Sequence, residues 1–116
     1  MQIRKTYKGV NPDLLFDEIR DFVRKQGLVL GETKMETYML PDESAKFTSR
    51  GTLTFNTGSE SGKPGKEGVR AHIVGSASGE TKVMLDINDA LFPPEKVAAL
   101  QTDLDFIFSL YEVKPR

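Results

Sequence analysis

The sequence predicts an α+β protein, a two-layer domain in which a curved antiparallel five-stranded sheet carries two helices in the order β-α-β-β-β-β-α. Three observations predict it. Several stretches alternate apolar and polar residues with the period of a strand, and two others repeat apolar residues at helical spacing. Gly31, Gly51 and Gly75 fall in the apolar phase of their strands, and Ala71 and Ala77 share that phase. Glycines on an inner sheet face let the sheet bend or another backbone approach, because no Cβ stands in the way.

The elements follow in order. From Gln2 to Val10, Ile3, Lys5 and Tyr7 alternate with Gln2, Arg4, Thr6 and Lys8, as in a half-buried strand. Asn11-Pro12-Asp13 then supplies a cap, a proline at the first helical position and an acid in the first turn. Leu15, Ile19, Phe22 and Val23 continue at helical spacing, and Gly27 closes a helix over residues 12–26.

Four strands come next. The segment 28–40 ends at the turn Pro41-Asp42-Glu43-Ser44. Its phase is open, because Leu28, Leu30, Tyr38 and Leu40 compete with the phase of Thr33 and Thr37, and a one-residue slip turns every side chain over. Residues 46–56 place Phe47, Ser49, Gly51, Leu53 and Phe55 on one side. The polar, glycine-rich stretch 57–68 reads as a long mobile hairpin loop. Strands over 69–77 and 81–87 follow, the latter with Val83, Leu85 and Ile87 facing in. Pro93-Pro94-Glu95 opens a second helix whose stripe is Val97, Leu100, Leu104, Ile107, Phe108 and Tyr111.

Composition narrows the classes of function. A chain of 116 residues reads as one domain, 1–116, long enough to bury a core without staples. With 38% hydrophobic and 28% charged residues it fits neither a disordered chain nor a membrane protein. The absence of cysteine removes disulfides, thiolate catalysis and cysteine zinc sites. No apolar run marks a signal peptide or a membrane span, so the expected location is the cytoplasm. A net charge of −1 exerts no bulk pull on nucleic acid.

The element order, the strand glycines and the long apolar terminal helix resemble the TATA-binding-protein-like fold and its helix-grip relatives, the Bet v 1/START group. The resemblance spans the whole chain and implies a curved sheet gripping the C-terminal helix. No signature motif accompanies it, so it carries over no functional residue.

Catalytic motifs are missing: there is no nucleophile elbow, no dinucleotide fingerprint and no P-loop. The single histidine, His72, lies in the outward phase beside Arg70 and reads as a solvated strand residue. Asp86-Ile87-Asn88-Asp89 lacks the later ligands of a calcium loop and reads as a turn. No cofactor and no metal is expected.

Two binding readings remain, and a protein-interaction role stands beside them. In the first, a small apolar or amphipathic ligand lies between sheet and terminal helix, lined by Leu53, Phe55, Leu104 and Phe108 and oriented by Tyr7. In the second, the outer face meets nucleic acid or another anionic partner through Arg4, Lys46, Arg50, Arg70 and Lys82. That face carries few acids, while residues 86–112 are acidic, with Lys96 their only base. Sheet readers of nucleic acid add stacking aromatics, and the outer phase offers none beyond Tyr38.

Overall fold

The chain is seen in a computed structural model that describes residues 1–40, 43–58, 65–75 and 79–113; for 38–40 and 43–48 it describes backbone alone. Strands β1 (Gln2–Lys8), β2 (Val29–Leu40), β3 (Glu43–Asn56), β4 (Glu67–Gly75) and β5 (Glu80–Ile87) form one sheet in the order β1-β5-β4-β3-β2. Every neighbouring pair is antiparallel. Helix α1 (Pro12–Lys25) follows β1, and α2 (Pro94–Phe108) runs into a short 3₁₀ turn over Ser109–Tyr111. The α+β order predicted from the sequence is the observed one.

Local chemistry sets the helix ends. Asn11 Oδ1 accepts from the Asp13 amide at 2.8 Å, Pro12 occupies the first position, and Gly27 has a φ of 99°. The Lys96 ammonium donates to the Gln26 carbonyl at 2.6 Å, placing a cation at the negative end of α1. That bond joins the C-terminus of α1 to the N-terminus of α2. Glu18 meets Asp103 half-way along both, so the helices run antiparallel across one sheet face.

The core lies beneath them. Leu15, Phe16, Ile19 and Val23 of α1 and Val97, Leu100, Leu104 and Phe108 of α2 are buried against Leu53, Phe55, Ala71, Ile73 and Leu85 of the sheet. Two close approaches involve glycine. A Cβ on Gly75 would overlap the Pro12 ring, and one on Gly51 would stand 2.9 Å from Met35 Cε. Both glycines therefore lie under α1, as their phase predicts. Ala77, assigned to the same phase, falls outside the described residues.

The sheet differs from expectation in β2. Its two candidate phases are both used, because a register shift between Leu30 and Thr33 exchanges them. Leu30 pairs with Phe55 and packs on the core; beyond the shift, Thr33 pairs with Leu53 and Met35 with Gly51. The extra residue turns Gly31 away from the core, beside Thr54 and Asn56 on the outer face. Thr54 Oγ1 accepts from the Glu32 amide at 2.6 Å, which explains why this outer-phase threonine is buried.

Helix α2 also ends sooner than its apolar stripe. After Phe108 the chain tightens into the 3₁₀ turn, so Tyr111 leaves the stripe, and Ile107 lies on its flank; both are exposed. The chain then returns to the free side of β1, where Val113 donates to the Thr6 carbonyl at 2.7 Å and Tyr7 bridges Glu112. One sheet edge is thereby covered. Of the expected loop 57–68, residues 59–64 lie outside the described residues. Among the described residues, no helix is long and apolar enough to cross a membrane.

Candidate functional site

Antiparallel register brings residues distant in sequence into rows on the outer face. One row runs Arg4–Met84–His72–Thr52–Lys34, and the next runs Thr6–Lys82–Val74–Arg50–Glu36. Where these rows cross β1, β5 and β4 lies an open depression of about 520 Å³. Met84 and Val74 form its apolar floor, with Arg4, Thr6, His72 and Lys82 around it. Strand pairing alone assembles this mixture, since each side chain stands next to its cross-strand neighbour.

The charges here are only partly compensated. Arg4 donates through Nε to Gln2 Oε1 at 3.0 Å, a neutral partner that leaves its charge available. On β5, Asp86 accepts from Gln2 Nε2 at 3.0 Å and stands 4.0 Å from His72 Nε2. Arg70 is committed to Glu67 through contacts of 2.8 and 3.1 Å, a bond that raises the guanidinium pKa further. Lys34 is likewise held by Glu36 at 2.8 Å. Arg4 and Lys82 thus converge on the depression, Arg50 lies farther along the Lys82 row, and Arg70 is engaged elsewhere. The Lys46 side chain lies outside the described residues.

The residues of the interior reading are differently placed. Tyr7, Leu53, Phe55 and Leu104 are wholly buried and Phe108 nearly so, all within one packed cluster. Tyr7 meets Phe108 edge to face, with ring centres 5.7 Å apart. Its hydroxyl is buried and makes no hydrogen bond to a described residue. Burial, followed by the nearby Glu112 and Asp105 carboxylates, pushes the phenol well above its ordinary pKa, so it stays protonated. Lys5, in the same strand phase, reaches those two carboxylates at 3.4 and 3.2 Å.

Other inward-phase hydroxyls are satisfied by protein. Thr37 and Ser49 pair with each other at 3.3 Å, and Thr81 Oγ1 donates to the Val10 carbonyl at 2.8 Å. Asn88 Oδ1 accepts from the Ala90 amide at 3.1 Å, the local bond expected of a turn at that sequence. Among the described residues, no group of acids and histidine is arranged to hold a metal ion.

Met84, Val74 and Thr6 were not singled out by sequence reasoning, and His72 was read as merely solvated. The signal that finds them is cross-strand register, which a single chain's periodicity does not contain. Comparison of the chain with protein families, curated proteins and solved structures returns no match.

Proposed function

We propose that this protein is a binding domain whose outer sheet face takes an amphipathic anion. The observation that carries this is the apolar floor of Met84 and Val74 set between Arg4 and Lys82 in one depression. A carboxylate or phosphate meets the two cations, and an apolar body covers the floor, the combination of apolar wall and few polar groups that small-ligand sites use. Nucleic acid is a weaker fit to this face, because base stacking needs aromatic platforms and the depression has none. The curved sheet packed on a long C-terminal helix supports kinship with the TATA-binding-protein-like and helix-grip folds, and a cytoplasmic setting accords with the composition.

A second reading keeps the ligand between sheet and helix, supported by the buried Tyr7 hydroxyl that no described residue engages. Titration with a fluorescent long-chain carboxylate and a fluorescent single-stranded oligonucleotide, at low and high salt, separates the possibilities. The carboxylate should bind, weaken with salt, and be lost in the Arg4→Glu/Lys82→Glu double variant. A flat carboxylate titration overturns the proposal. Binding that survives the double variant but fails in Tyr7→Phe moves the site inside. Oligonucleotide binding with a log–log salt slope of about 0.7 per phosphate contacted moves the function to nucleic acid.

A further inference from the structure

The helix layer, on the side opposite the depression, exposes apolar surface that the core does not use. Phe106 is 89% exposed, and Leu110, in the 3₁₀ turn that follows α2, is 94% exposed. Ile107 and Leu14 are 41% and 57% exposed. The antiparallel register that sets Glu18 against Asp103 and Gln26 against Lys96 continues by one turn to set Leu14 beside Ile107. The four side chains thus border one crease between the start of α1 and the end of α2.

Charge around this crease is one-sided. Glu18 and Asp103 meet at its inner end, and Asp13 is exposed in the first turn of α1. Of the bases of the helix layer, Arg20 is held by Asp17 and Asp21 at 3.3 and 3.2 Å, and Arg24, Lys25 and Lys96 sit at the other end. Asp103 Oδ2 is buried and has no hydrogen-bond donor among the described residues.

We propose that this crease docks a basic amphipathic helix of another protein, its apolar face on Phe106, Ile107, Leu110 and Leu14 and a lysine or arginine at the Glu18–Asp103 pair. Helix-in-groove recognition seats the apolar stripe of a helix on exposed apolar side chains, which these four residues supply. An incoming cation relieves the repulsion between two adjoining carboxylates. Glu18 has a raised pKa, first through its side-chain hydrogen bond to Asp103, then through desolvation and the Asp103 charge. A second copy is a poorer occupant. A two-fold contact would set acidic crease against acidic crease, and docking on the basic sheet face of another copy would be head-to-tail and open-ended.

The test is fluorescence anisotropy with a fluorescein-labelled peptide of leucine and lysine at helical spacing, beside a scrambled peptide of the same composition. The patterned peptide should bind saturably and the scrambled one at least about tenfold more weakly. Phe106→Asp and Leu110→Asp should each weaken binding by about tenfold and leave the melting temperature unchanged, since both side chains are almost wholly exposed. The Arg4→Glu/Lys82→Glu variant should bind the peptide like the parent, which keeps this result separate from the outer-face proposal. Absence of binding, equal binding of the scrambled peptide, or indifference to both aspartates overturns the inference. A dimer in sedimentation that Leu110→Asp dissociates also overturns it, by giving the crease to a second copy.

Discussion

Single atoms decide whether the sheet face can accept α1. Gly75 supports the Pro12 ring and Gly51 supports Met35, yet the two neighbours differ in what they can do. Pro12 is rigid and fixed at the start of a capped helix, so a side chain at position 75 has to move the helix. Met35 ends in a flexible thioether that can swing aside. Gly75→Val should therefore cost roughly 1–3 kcal/mol by overpacking, and Gly51→Val distinctly less. Denaturant melts of the two variants check this; equal midpoints would show that the contact at Pro12 does not constrain the sheet. Tyr7→Phe should leave stability unchanged or raise it, because it removes a buried hydroxyl that no described residue engages. A clear loss of stability would mean that the hydroxyl is hydrogen-bonded in solution, which would favour the interior ligand reading.

At the scale of elements, what a strand or helix does alone was legible in the sequence, and what depends on a neighbour was not. Alternation in 46–56 and 81–87 is strict enough that Leu53, Phe55, Val83 and Leu85 could be assigned inward, and all four are buried. Asn11, Pro12 and Gly27 act within a few residues, so the ends of α1 followed from chemistry alone. β2 resisted because its bulge combines two phases that a periodic pattern must choose between; Gly31 was accordingly expected inward and lies outward. The outer depression was half visible. Arg4 and Lys82 stood out as bases, whereas their convergence on Met84 depends on a pairing of β1 with β5 across most of the chain. The β3–β4 connection offers a test at this scale. The Thr57 amide donates to the Lys66 carbonyl at 2.8 Å, and the Lys66 amide donates to Thr57 Oγ1 at 2.9 Å. These bonds bring the strand ends together, so replacing residues 58–65 with Asn-Gly should keep the fold and leave stability equal or slightly higher. Loss of cooperative unfolding in the shortened protein would show that the longer connection is needed to set the register.

For the molecule as a whole, the fold separates two faces of opposite character. A basic sheet surface lies on one side and an acidic helix layer on the other, with the buried core between, so a net charge near zero conceals a separation of charge. The helix layer makes overall stability depend on pH through Glu18. A hydrogen bond to Asp103, then desolvation and the charges of Asp103 and Asp21, raise its pKa from 4.5 to about 7 against the opposing effect of Lys25. The folded state therefore holds this proton where the unfolded chain has released it, and between those values the folded protein binds more protons. The contribution is fully present below about 4.5 and is lost as pH rises through about 7, a sign opposite to that of a salt-bridged carboxylate. In Glu18→Gln, the amide offers Asp103 a donor at every pH. Urea unfolding between these limits should show the parent losing stability relative to the variant as pH increases, with the gap widest above neutrality. Parallel pH profiles for the two proteins would mean that Glu18 titrates as an ordinary exposed carboxylate, and that the two helices meet without sharing a proton.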